Sequence, residues 1–177
     1  MLSRFILARF PINALFALAF IICPPAFSED EHGKNKNGKD EHGRLMLQFA
    51  PGAYHYNHDP DHTKWSWLIG AEYIWPSQYL VGYSYFNNSF NQKCHTLYGG
   101  YIWPLSGTSS RYWYFKAAAG VVVGYDEPYE DKIPFNHNGV APGVLPALGY
   151  QYDRFNVQVN FLFTNGIMVT FGYDVLD

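Results

Sequence analysis

Two separate places in the chain hold side chains that together could form a base and a nucleophile: His55, and Asn88 followed by Ser89. A serine hydroxyl is a poor nucleophile until a neighbouring base takes its proton, and an imidazole is the usual base near neutral pH. Asn88 can orient such an imidazole through its side-chain carbonyl, although an amide lacks the charge with which a carboxylate stabilises imidazolium. In a chain with seven histidines the same residues also fit as polar surface side chains. His58, Asp59, Asp61 and His62 crowd potential ligands together, but their spacing matches no regular helix or strand site, so they read as a polar loop. His95 and His137 suggest no role, and neither a metal nor a cofactor is expected.

For His55 and Ser89 to meet, the elements that carry them must end on one rim. From Leu45 onward the hydrophobic signal has period two, the repeat of a strand whose two faces see different surroundings. Phe155, Val157, Val159, Phe161 and Phe163 alternate with Arg154, Asn156, Gln158, Asn160 and Leu162. After Thr164-Asn165-Gly166 the pattern resumes with Ile167, Val169, Phe171, Tyr173 and Val175, which makes the pair a hairpin. Similar stretches fall at 45–56, 64–75, 78–90, 94–104, 112–125 and 141–151, giving eight strands. Each has roughly the 9–11 residues that a tilted strand needs to cross a bilayer, and closing the sheet removes edges that lipid cannot satisfy. The expected fold is all-β, an eight-stranded antiparallel transmembrane β-barrel over residues 45–177.

Alternation alone does not say which face is inside, because a soluble barrel alternates too, with its apolar face inward. Aromatic residues gather toward strand ends: Trp75, Tyr79, Trp103, Tyr112 and Trp113 at one level, and Tyr54, Tyr56, Trp65, Tyr83 and Tyr85 toward the other. That distribution matches interfacial girdles. With a periplasmic N-terminus, the links near Pro76-Ser77, Leu105–Arg111 and Gln151–Asp153 are short turns, while 57–63 and 126–140 are longer external loops. Strand parity puts Glu72 and Lys116 inside, where pairing would plug the lumen.

The rest of the chain supplies an address. Arg4 and Arg9, the apolar run from Pro11 to Ile22, and Ala26-Phe27-Ser28 read residues 1–28 as a signal peptide. Residues 29–44 (EDEHGKNKNGKDEHGR) have no apolar group able to start a core and read as a polar flexible linker, with His32 and His42 as exposed polar residues. Removing Arg4 and Arg9 with the leader takes the formal net charge from −3 to −5, which is no nucleic-acid footprint. Cys94 is then the one remaining cysteine, so no intramolecular disulfide forms. A 19% aromatic content beside only 15% charged residues is unusual for a soluble protein and fits the membrane reading.

Three motifs carry a resemblance: Ala53-Tyr54-His55, the run Phe86-Asn87-Asn88-Ser89-Phe90-Asn91-Gln92, and Leu97-Tyr98-Gly99-Gly100-Tyr101-Ile102-Trp103. They resemble the histidine after the first strand, the Phe-x-x-Ser motif and the Tyr-Gly-rich strand of the PagP-type lipid A palmitoyltransferases, eight-stranded outer-membrane enzymes. The likeness continues through Ala118-Ala119-Gly120 and Gly139 to Gly149, and so spans roughly Leu45 to Tyr173. It implies transfer of a palmitoyl chain from a glycerophospholipid donor to lipid A or lipopolysaccharide in the Gram-negative outer membrane. His55, Asn88 and Ser89 match the family's catalytic positions, with Asn88 standing where the family has aspartate. Gly100 matches the floor of its interior acyl pocket and Pro146 one of the prolines that open its wall to lipid; Phe86 and Tyr98 are expected to bind substrate with them. The second of those prolines falls near Phe163. Gly100 also fits as a glycine that eases strand packing, since parity places it with Thr96, Tyr98 and Ile102 on one face.

The expected function is therefore a monomeric acyltransferase of the outer membrane. The alternative is a non-catalytic barrel that binds lipid or a small ligand, or is structural. A general pore is disfavoured, because eight strands enclose room for side chains or one slender ligand.

Overall fold

A computed structural model describes residues 43–56, 62–63, 66–163 and 165–176. The expected signal peptide, nearly all of the linker, and His58, Asp59, Asp61 and Trp65 lie outside these residues. Nine strand segments make the wall: β1 (Arg44–Ala50), β2 (Ala53–His55), β3 (Leu68–Ile74), β4 (Tyr79–Asn87), β5 (Lys93–Gly107), β6 (Arg111–Val123), β7 (Val140–Tyr152), β8 (Phe155–Phe161) and β9 (Gly166–Leu176). Among the described residues one 3-10 turn, Glu130–Lys132, lies in the long link between β6 and β7. Successive strands pair antiparallel, and β9 pairs back onto both β1 and β2, which closes the sheet. β1 and β2 are two segments of one wall strand, interrupted where Pro51 can give no ladder hydrogen bond. The wall is thus an eight-stranded antiparallel barrel, as the alternation requires.

The connections differ sharply between the two ends. Trp75–Gln78, Thr108–Ser110 and Asp153-Arg154 are tight turns, closed by Gln78 N–H to Trp75 (2.8 Å) and Thr108 N–H to Arg111 (2.8 Å). The other end carries the links 88–92, 124–139 and 162–165, together with the segment between β2 and β3. The strand expected over 78–90 stops at Asn87. Asn88 N–H instead donates to Gln92 O at 2.9 Å, and Asn91 takes a positive φ of 63°, so 88–92 is a turn. β5 runs on to Gly107 past a bulge between Pro104 and Ser106, where proline again removes a donor.

The apolar face points outward. Phe155 and Phe171 are 62% and 48% exposed, whereas Asn156 and Thr170 on the alternate positions are 3% and 2% exposed. Leu47, Phe49, Ile69, Val81, Leu97, Val121, Val144, Leu148 and Val157 continue the outward belt around the barrel. Tyr112, expected in a girdle, turns inward instead. Its position in register alongside buried Tyr114 fixes that parity, and its hydroxyl accepts from Arg44 at 3.0 Å.

The interior has two zones. Toward the tight turns it is filled by a hydrogen-bonded polar network. Lys116 Nζ lies 2.7 Å from Glu72 Oε1, which also accepts from the Tyr98 hydroxyl at 2.9 Å. Asn156 donates to Gln151 and Gln151 to Asp174, each at 2.8 Å, while Asp174 is bridged to Arg44 at 2.9 Å. Burial makes these bonds necessary, because an unpaired polar group away from water costs about 1–3 kcal/mol. Toward the long links, the inward positions apart from Phe86 are mostly small or aliphatic, and Thr96, Gly120, Val122, Gly143 and Leu145 stay partly exposed. Glu72 and Lys116, paired as parity suggested, form the boundary between the zones. Tyr98 reaches them by lying across Gly82, its direct partner on β4, where any Cβ would collide with the ring.

Candidate active site at the barrel rim

β2 ends at the long-link rim with His55, and the β4–β5 turn holds Ser89 at the same rim. Ser89 Oγ and His55 Nε2 are 2.5 Å apart. Ser89 is only 8% exposed, so bulk water does not compete freely for that hydroxyl. The ring also bonds the backbone of Asn165 in the β8–β9 link, and this contact favours the protonated ring, as a bond from ring N–H to a carbonyl does. Nε2 faces Ser89 and is the ring nitrogen placed to take its proton.

A second histidine packs on the first. The rings of His62 and His55 have centroids 4.5 Å apart, and His62 stands edge-on to Phe90 at 4.9 Å. Phe90 stacks in turn on Tyr129 at 4.3 Å, which ties the Ser89 turn to the β6–β7 link. Thr63 N–H donates to the Ser89 carbonyl at 2.6 Å. Burial pushes the His55 pKa below the ordinary 6.5, the charge of His62 pushes it further, and the Asn165 carbonyl partly opposes both.

Asn88 does not take the place expected for it. Its Oδ1 accepts from the backbone N–H of Phe90 (2.9 Å) and Gln92 (2.8 Å), and its amide donates to Gln92 Oε1 at 3.1 Å. Such local bonding is what short polar side chains do in turns. Asn88 therefore shapes the turn that presents Ser89, and the carbonyl that orients His55 is the backbone of Asn165. No residue type announces a backbone acceptor, so sequence reasoning had no signal for it. His62 was read only as part of a polar loop.

The remaining candidates lie apart from the dyad. Phe86 faces inward on β4, paired with Leu68 and Cys94, just below the rim. Tyr98 sits at the zone boundary. Gly100 lies level with Leu80 and Ala118, one inward position above Ile102 and Lys116, and so at the floor of the more open zone. A Cβ there would meet Ala117 O at 2.5 Å and Ala118 Cα at 3.0 Å, so β6 approaches too closely for a side chain without a shift. Both readings of this glycine thus have a structural basis. Pro146 is the last residue of β7 before β8 joins it. The described β7–β8 pairing covers only Ala147–Tyr152, leaving the Val140–Pro146 edge, with Pro142 and Pro146, outside that ladder.

Among the described residues no group of three or more His, Cys, Asp and Glu side chains is placed to hold a metal ion. Compared with known proteins, the chain matches no protein-family model and no curated protein sequence.

Proposed function

We propose that this chain is a cofactor-independent acyltransferase of the Gram-negative outer membrane, a divergent lipid A palmitoyltransferase that works as a monomer. The observation that carries the reading is the Ser89–His55 hydrogen bond at the rim of a barrel whose adjoining interior holds mostly small and aliphatic side chains. A continuous outward belt of apolar side chains supports the membrane placement. Soluble monomers keep their largest apolar patches to about 300–600 Å².

In this mechanism the donor's acyl chain enters the partly open zone and its ester carbonyl comes to Ser89. His55 Nε2 takes the hydroxyl proton as Ser89 Oγ attacks the ester, and the same proton leaves with the lysophospholipid alcohol. A hydroxyl of lipid A then attacks the Ser89 ester, giving its proton to Nε2 and restoring the serine. The unladdered Val140–Pro146 edge supplies a lateral route for the donor, because fewer interstrand bonds hold the wall there.

A non-catalytic lipid-binding barrel is the second reading. It is favoured by the commitment of Asn88 to its turn: among the described residues no carboxylate bonds His55. The two separate when the full chain in detergent is given a glycerophospholipid with a labelled palmitoyl chain, together with lipid A. Label on lipid A with release of lysophospholipid is expected of the enzyme; label that binds but never moves belongs to the second reading.

A further inference from the structure

Away from strand ends, one described side chain on the outward face can carry a positive charge, and it is His95 on β5. Apart from Lys93, its neighbours on that face, Tyr83, Tyr85, Leu97 and Val123, are aliphatic or aromatic. Its Nδ1 lies 2.6 Å from the Tyr83 hydroxyl, and its ring packs on Tyr85 at 4.9 Å, which in turn meets Trp67 at 5.5 Å. Whichever tautomer is present, this pair presents a donor outward. If Tyr83 donates to Nδ1, the ring proton is on Nε2; if Nδ1 donates to Tyr83, the phenol proton is free. Lys93, exposed and without an ion-pair partner among the described residues, stands two residues toward the rim on the same face, roughly 7 Å along the strand.

An unpartnered donor facing hydrocarbon is costly, whereas aromatic rings at this level mark the zone of lipid headgroups. We infer that Lys93, His95 and Tyr83 form a site on the outer wall for the phosphate of an anionic membrane lipid. The site rests on the proposed membrane placement and not on acyl transfer. Its ligand is a phosphate-bearing headgroup, because the Lys93 ammonium and the donor of the His95–Tyr83 pair share one face of the wall and suit an anionic oxygen better than a zwitterion.

The test uses the full chain in phosphatidylcholine nanodiscs containing a minor fraction of phosphatidic acid, with co-purifying lipid counted by native mass spectrometry. Phosphatidic acid should be enriched over its bulk fraction. His95→Phe, which keeps the ring stack, and Lys93→Gln should each lower the enrichment by about fivefold. Equal enrichment in the double variant, or none in the original chain, overturns the site while leaving the membrane reading standing. Failure of the chain to insert into the nanodiscs overturns both.

Discussion

Ser89 Oγ lies 2.5 Å from His55 Nε2 across 34 residues of sequence. They meet because an antiparallel barrel returns alternate strand ends to the same rim, so the end of β2 and the turn after β4 share a level. The backbone of Asn165, in the β8–β9 link beside β2, adjoins the His55 ring.

Asn88→Ala removes the acceptor of two backbone N–H groups, so the turn loosens and Ser89 moves off His55. Stability should fall by about 1–3 kcal/mol, read from the urea midpoint of the heat-modifiable folded form. Asn88→Asp keeps both acceptors and should retain the fold and the transfer rate. Retention of full stability in the alanine variant would count against the turn role.

His55 works as a base only when neutral, and its pKa lies below 6.5, so transfer should rise with pH and level off with an inflection under that value. In the same range the unfolded chain takes up the ring proton first. This site's contribution to stability is therefore present above pH 6.5 and is lost as the pH falls below it. His62→Phe keeps the stacked ring but removes a depressing charge, so the inflection should move upward. An unmoved profile in that variant would show that His62 does not act on His55.

How much of this was readable from sequence depends on which atoms are involved. The alternation of Asn156, Gln158 and Asn160 with Phe155, Val157 and Val159 encodes strand and sidedness together, because a strand's side chains strictly alternate. The inward placement of Glu72 and Lys116 followed from the same parity, and their pairing came with the fold. Tyr112 was misplaced because its position near a strand end was weighed above its parity with Tyr114. The turn at Asn88 was hidden inside an apolar-looking run, since Phe86 and Phe90 flank it. The Asn165 carbonyl was invisible, because every residue has one and only the fold selects which one faces a ring.

Lys116→Met should leave the Glu72 carboxylate buried without its cation and cost about 3–5 kcal/mol in urea unfolding. Adding Glu72→Leu should recover most of that loss, since an apolar pair of similar volume needs no charge compensation. A single variant as stable as the original would mean that the interior is wetter than the network implies.

Gly100→Ala forces β5 and β6 apart at Ala117 and Ala118, an overpacking worth about 1–3 kcal/mol. If this glycine also floors the acyl cavity, Gly100→Met in its folded fraction should shift transfer toward shorter chains, read by the mass of the product. An unchanged chain-length profile would leave strand packing as its whole role.

The central claim is tested most directly by mass spectrometry of lipid A from Gram-negative cells expressing the chain or its Ser89→Ala variant, both verified as folded barrels in the outer membrane. The account predicts a gain of one palmitoyl group with the original chain and none with Ser89→Ala. Unchanged lipid A in both, or the same gain in both, would contradict it.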